Sequence, residues 1–550
     1  MGWDHGYYSH STYTSGFFRE LAPAWLDFAA LIKGHCPPRS EEGQAFRYLE
    51  LGCGMGFGLC LLAALHPEGT FLGIDFNPAH ISHAEGLCRR LALTNVRFLE
   101  VDFLDLAEDP SPLGSGPAFG GGFDYVAAHG IATWVTEPVQ SALFAVASAA
   151  LRPAGLFYCS YNTHPGWLGR TAFQQLYALE RTRADPADPR APLRRAIAGL
   201  RTLLGTADQP TALRHAIPQL EEDLAGLDPE QFSYLCGEFA NEGWQPLYVA
   251  DLHRRCQAHK LHPLGTATLP EAFDQLLAPS LKESIFAEVN PLIRQTMIDL
   301  ATHKSFRRDV FVKGLDPLTL QDAEMRIGSL SVRPLQLPSA LSEDPPSFSF
   351  GTSFGQVQGD PAVYGPIVER LAAGACTVSE LQEHSGQSAV ELVMILALFL
   401  DAGWIGFDRS RQGGAAKLNG QAQRCNGVLM ELIAGGRPYA SLLLPEVGTA
   451  LPVTLVDVLI HLALSQGLEE PMLSTCVLMG LDQMGVHLLA ADKSPITDPE
   501  AQLTRLAFLI AEFREQRLPR LQRLGGLPSP SFSQPRSGRR RSKAPGPPGV

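Results

Sequence analysis

The chain has 550 residues, of which 45% are hydrophobic and 18% charged, and its mean hydropathy is zero. That is the make-up of a soluble globular protein with room for about three domains. A net charge of −13 excludes an overall field for nucleic acid or an anionic membrane. Ten scattered cysteines, without CxxC pairs, predict reduced thiols in a cytoplasmic protein and no metal centre. The first ten residues, MGWDHGYYSH, lack the basic and apolar regions of a secretion signal, and Gly6 breaks the myristoylation pattern. The longest apolar run, Leu392–Leu400 between Glu391 and Asp401, is too short to span a bilayer.

Residues 1–46 carry Trp3, Tyr7, Tyr8, Tyr13, Phe17 and Phe18, followed by an amphipathic helix over Glu20–Lys33. These aromatics read either as core under a first helix or as a lid whose tyrosines reach a ligand. Next comes RYLELGCGMGFG, Arg47–Gly58. A short apolar strand carries one acid, Glu50, and ends in Gly52, Gly54, Gly56 and Gly58; the apolar helix Leu59–Leu65 follows. Strand, glycine turn and helix open a nucleotide-binding βαβ unit, in which backbone approaches a ligand closely and the helix start offers unpaired N–H donors. The dinucleotide fingerprint G-x-G-x-x-G needs glycine at 57, where Phe57 stands, so a nicotinamide oxidoreductase is disfavoured.

The alternating E-x-G-x-G-x-G spacing resembles motif I of class I S-adenosylmethionine (SAM) methyltransferases. The resemblance implies that Glu50 lies near the methionine end of SAM and that Gly52, Gly54 and Gly56 cradle it. A second strand, Thr70–Ile74, ends at Asp75, 25 residues past Glu50, near the spacing expected for a ribose-binding acid. Phe76 beside it is a candidate to pack on adenine. Asn77-Pro78 starts a helix running to about Leu93. Strand Val96–Val101 delivers Asp102 and Phe103, where the family places an acid for the adenine amino group. Strand Phe123–Ala128 delivers His129, a candidate to touch SAM or take a proton. Helix Pro138–Leu151, a turn at Arg152–Gly155 and strand Leu156–Tyr161 follow. Polar groups at successive strand ends of an open parallel sheet mark a ligand site.

GWDHGYYSHSTYTSGFFRELAP, the run His129–Val135, the run Ser160–Trp167 and the run Asn241–Tyr248 resemble a bacterial subgroup that carries a methyltransferase regulatory domain. Its best understood members methylate lysines of outer-membrane proteins. The resemblance spans about 1–315 well and implies a protein lysine as acceptor, a homodimer, and Tyr13 as a cofactor contact. It makes Tyr161 and Asn162 candidate catalytic residues beside His129, and Trp134, Trp167 and Trp244 candidate walls of an aromatic acceptor cleft. Where relatives tend to have a His-Glu-Tyr-type run, this chain has Gly237-Glu238-Phe239.

The expected fold is a Rossmann-like α/β methyltransferase sheet with a helical insertion, a winged-helix-like module and a mostly helical C-terminal region. The boundaries are a SAM-binding core over 1–167, an insertion over 168–250, remaining core over 251–332, a linker over 333–361, the module over 362–410, helices over 411–526 and a disordered basic tail over 527–550. Within the insertion the helices are Thr171–Ala184, Pro192–Leu204 and Ala212–Leu227; strands Lys260–Ala267 and Arg308–Lys313 complete the sheet as an antiparallel pair. DNA is not an expected partner of the module, because Arg370 is its only basic side chain between Val363 and Phe407, against five acids. Three functions remain open: a protein-lysine methyltransferase, a small-molecule methyltransferase, and a SAM-binding regulator without turnover.

Overall fold

Seven strands form one sheet in the order β3-β2-β1-β4-β5-β7-β6: β1 Phe46–Leu51, β2 Gly69–Asp75, β3 Val96–Glu100, β4 Phe123–Ala128, β5 Leu151–Asn162, β6 His262–Thr266 and β7 Phe306–Val312. This computed structural model describes residues 3–9, 15–39, 43–114, 122–185, 187–338, 347–410 and 415–528. β1 to β5 run parallel, and β7 is antiparallel to both neighbours. Helices cover both faces, so the central strands are apolar on both sides. Tyr48, Leu49, Leu51, Val126, Phe157 and Tyr158 are completely buried. The strand order reverses between β1 and β4, and a crevice opens there at the strands' carboxyl ends.

The covering helices of the first half are α1 Pro23–Ile32, α2 Phe57–Leu65, α3 Pro78–Arg90, α4 Phe103–Glu108 and α5 Glu137–Ala150. Asn77 caps α3 by accepting from the Ala79 N–H, and Pro78 stands at its first position. Between β5 and β6 the insertion forms α6 Leu168–Arg181, α7 Ala191–Leu204, α8 Ala212–Ala216, α9 Leu220–Ala225, α10 Phe232–Phe239 and α11 Val249–Ala258. Trp167, Phe173, Tyr177, Leu193, Leu200 and Phe239 give it a core of its own. The single helix expected over 212–227 is instead α8 and α9, because Pro218 lacks the N–H a continuous helix needs.

After α12 Pro279–Ala287 and α13 Pro291–Ala301, β7 closes the sheet, and α14 Leu320–Ser329 leads into the second half. The expected linker over 333–361 is not bare chain. Strand β8 (Ser331–Pro334) overlaps its start, and β9 (Ser349–Thr352) pairs with β10 (Gly355–Gln358) as a hairpin. Phe348 and Phe350 anchor that hairpin by burying their rings near Tyr364. α15 Pro361–Ala372, α16 Val378–Ser385 and α17 Ala389–Asp401 follow, the last opened by a Ser388–Glu391 capping box. A winged helix is not confirmed. The short strand β11 (Cys376–Thr377) and β12 (Ile405–Phe407) both pair with β8, and among the described residues no hairpin forms a wing. α18 Ala415–Ala434, the pair β13 Ser441–Leu444 and β14 Thr449–Pro452, and α19 Leu455–Ser465 continue a largely helical region. The predicted basic tail lies outside the described residues beyond 528. Among the described residues no helix is long and apolar enough to cross a membrane.

One buried ionic cluster ties β7 to its surroundings. Arg307 Nη1 donates to Asp299 (2.6 Å) and Nη2 to Asp309 (2.9 Å), while His253 Nε2 (2.9 Å) and the Tyr161 hydroxyl (2.7 Å) also meet Asp309. Burial works against the Asp309 charge, but Arg307 and His253 hold its carboxyl well below the usual range. Burial pushes Asp299 up to about 6. Removing the shared cation strands two buried acids. Arg307→Met is expected to cost about 3–5 kcal/mol of stability, measured by urea unfolding.

Candidate functional site

A cavity of about 500 Å³ opens where β1 to β5 end, roofed by the N-terminal segment and the insertion. Its floor is the turn after β1. Gly52, Gly54 and Gly56 have φ of 72°, 52° and 70°, the left-handed region that glycine alone enters without strain. A Cβ on Gly56 would strike Ala84 and Phe98, so this glycine lets α3 and β3 close against the loop. A Cβ on Gly54 would meet nothing within 4 Å, because Gly54 lies on the cavity wall. The N-cap of α2 is Gly56, without a side-chain cap, which leaves the helix's first N–H groups to a ligand.

Three acids stand at successive strand ends. Glu50, at the end of β1, is buried, and that burial, with Asp75 nearby, pushes its carboxyl up to about 8. Asp75, at the end of β2, accepts from the Gly54 N–H through Oδ2 (2.9 Å) and from the Asn77 N–H through Oδ1 (2.9 Å), so it shapes the turn as well as lining the cavity. Asp102 caps α4 by accepting from the Leu104 N–H (2.6 Å), and its Oδ2 lies 3.3 Å from His5 Nε2. Phe76 and Phe103 line the same side, with Trp3 and Tyr7 packed on Phe76. Tyr13 lies outside the described residues.

The other side of the cavity is built by β4, β5 and the insertion. His129 Nδ1 lies 3.0 Å from the Tyr158 hydroxyl and 3.1 Å from Ser160 Oγ, and Phe18 stacks on its ring at 3.9 Å. Burial and the Arg308 charge push His129 down to about 3, so it stands as a neutral wall and is too weak a base to store a proton at pH 7. Asn162 donates through Nδ2 to Glu238 Oε1 (2.8 Å), leaving Oδ1 as its remaining side-chain acceptor. Trp134 and Trp167 line the cavity.

Residues 42–184 match the methyltransferase domain family, and residues 231–313 match the predicted methyltransferase regulatory domain. The chain is a SAM-dependent methyltransferase. An uncharacterised protein of Synechocystis sp. is 28% identical over 535 residues, covering 96% of this chain and all of that one. Two uncharacterised proteins of Rickettsia prowazekii are 27% and 31% identical, over 52% and 59% of their own lengths. Among solved structures, PKMT2 of Rickettsia typhi in complex with AdoHcy shares the fold at a TM-score of 0.64 and 16% identity, over 94% of this chain and 99% of that one.

The methyltransferase site fits its cofactor on its own geometry. The open face of Gly54 admits the ligand, and the carboxylates of Glu50, Asp75 and Asp102 ring the floor. The uncapped start of α2 faces the same space. Two expected site residues lie elsewhere. Tyr161 is fully buried on the opposite face of β5, bonded to Asp309 rather than facing the cavity. Trp244 packs behind Trp167 at 5.8 Å and against Phe239, and does not line the wall. Tyr7 and Phe18, of the N-terminal aromatics, line the cavity as a lid would, and the structure adds Tyr234, Glu238 and Arg308. Of these, Glu238 left a signal in the sequence, a lone acid in the apolar turn Leu235–Phe239.

Two expectations follow from the floor of the methyltransferase site. Gly54→Val fills the open face and should weaken SAM binding by about 100-fold or more, about 2.8 kcal/mol, in calorimetry. Glu50's folded pKa lies above its unfolded value near 4.3. The stability this proton confers is therefore complete below about 4.3 and is lost as pH rises through about 8. A cationic ligand favours the ionised form. SAM affinity should therefore rise between pH 6 and 8, by up to about tenfold per unit, with proton release that Glu50→Gln abolishes.

Proposed function

We propose that this methyltransferase acts on the side-chain amine of lysine in a protein. The observation that carries the reading is Glu238, a carboxylate buried in the cavity wall beside Asn162 and accompanied there by Trp134, Trp167 and Tyr234. A buried carboxylate among ring faces suits an ammonium group, held by charge and by cation–π contact. The fold neighbour PKMT2, solved with AdoHcy, is in keeping with a methyltransferase site here. The ten cysteines, all free, suit the reducing cytoplasm, and a homodimer is part of this reading.

SAM, held by the Gly52–Gly56 turn with Glu50 and Asp75 beside it, would supply an electrophilic methyl group on a positively charged sulfur. The chain's residues must deliver a neutral amine. From a reference pKa near 10.4, deprotonating lysine at pH 7 costs about 4.6 kcal/mol. Burial among the rings lowers that cost, and the Arg308 guanidinium in the same cavity disfavours a second cation. Glu238 anchors the arriving ammonium and is the group placed to accept its proton. Asn162 Oδ1 can orient the amine after the proton has left. His129, neutral, and Phe18 stacked on it keep water from that end.

Labelled SAM incubated with cell extract and followed by mass spectrometry tests the acceptor. Label on lysine side chains is expected; label on a small metabolite alone, or tight SAM binding without transfer, contradicts the reading. Glu238→Gln should keep SAM affinity and lower kcat/KM for the acceptor by about 30-fold, about 2 kcal/mol.

A further inference from the structure

The first helix after the glycine loop is gripped at both ends by the C-terminal half. At its start, the Phe57 ring stacks on Tyr439 at 4.5 Å with the planes 2° apart. The Tyr439 hydroxyl lies 2.9 Å from His83 Nε2, and His83 Nδ1 lies 3.1 Å from the carbonyl oxygen of Met55, in the middle of the loop. A carbonyl only accepts, so Nδ1 carries the proton; in a neutral ring Nε2 is then the acceptor and the tyrosine donates. At the far end of α2, Arg409 Nη1 donates to the Leu65 carbonyl (2.6 Å) and Nη2 to Glu68 Oε1 (3.0 Å). Tyr439, His83 and Arg409 are absent from the cavity wall.

The loop is thus fixed from two sides. From inside, Asp75 accepts from the Gly54 N–H; from outside, His83 donates to the Met55 carbonyl. Two left-handed glycines flank Met55; the Gly56 N–H of that peptide unit donates to the Cys53 carbonyl within the loop (3.0 Å), and His83 supplies the hold on its carbonyl. Releasing it would let the floor of the cofactor site sample other shapes, and a ligand that needs one shape binds in proportion to that shape's population.

We infer that the C-terminal half of the chain sets cofactor affinity, with Tyr439 as a positioning residue that acts on SAM through His83 and the Met55 carbonyl. The inference rests on SAM binding at the glycine loop. By reciprocity, SAM in the cavity must stabilise the Tyr439 contact, so whatever binds or displaces the segment around Arg437–Leu444 changes affinity for SAM. This gives the second half a part in the reaction without contact with either reactant.

Calorimetric titration of the full chain with SAM tests it, using Tyr439→Phe, which keeps the stacked ring, His83→Ala, and the double variant. Each single change is expected to weaken SAM about three- to tenfold, and the double variant no more than the weaker single, because both break one relay. A purely structural role would lower Tm in the variants and leave the dissociation constant alone. In the parent chain, SAM should slow amide exchange over residues 437–444. Dissociation constants within twofold of the parent in both single variants, independent multiplication of the two effects, or unchanged exchange over 437–444 would overturn the inference while SAM still binds. A parent chain that binds no SAM would overturn the cofactor reading and this inference together.

Discussion

Buried negative charge in an apolar hollow is the constraint on which the site depends. Glu50, Asp75 and Glu238 are each nine-tenths or more buried, and all three line one cavity whose other walls are largely rings and aliphatic chain. Carboxylates in such a place either take up protons or meet cations. Glu50 is drawn toward the first, because burial and the nearby Asp75 push its carboxyl up to about 8. Asp75 is held by backbone and side-chain donors. A ligand carrying a positive sulfur is a cation suited to the Glu50–Asp75 end, and the ammonium of the proposed lysine acceptor would suit the Glu238 end.

The rest of the fold serves to hold that hollow open and to cover it. The parallel sheet brings β1, β2 and β3 to the floor with their acids in line, because each crossover returns the chain to the same edge. The insertion supplies a wall from α10 and keeps itself rigid with a separate aromatic core. The N-terminal aromatics form the roof; Tyr7 is half-buried there, and burial together with Asp75 and Glu238 raises its phenol above the ordinary value. Arg19, next to Phe18, donates to the Leu400 and Asp401 carbonyls at the end of α17, so the roof is tied to the second half of the chain.

How far the sequence could be read follows from the range of the interactions. The glycine turn, Glu50, Asp75 and the Asn77 cap are local patterns, with every determinant within a few residues, and they form as spaced. Tyr161 stands outside the cavity by a local rule: successive residues of a strand point to opposite faces, so Asn162 in the cavity puts Tyr161 on the other side. Glu238 meets Asn162 across 76 positions of sequence, and Tyr439 meets His83 across 356; no spacing rule reaches that far. The hairpin within 333–361 is hard to read in sequence because its anchors, Phe348 and Phe350, stand among prolines, serines and glycines. The winged-helix layout is not confirmed, because helix order alone is shared by many small modules and the deciding feature is which strands pair.

The most direct measurement is a crystal structure of the chain with S-adenosylhomocysteine. The account predicts the ribose hydroxyls on Asp75, the amino-acid end against the Glu50–Gly54 turn, and the sulfur facing the Asn162–Glu238 wall. The ligand lying outside this cavity, or a sulfur turned toward the closed floor, would contradict it.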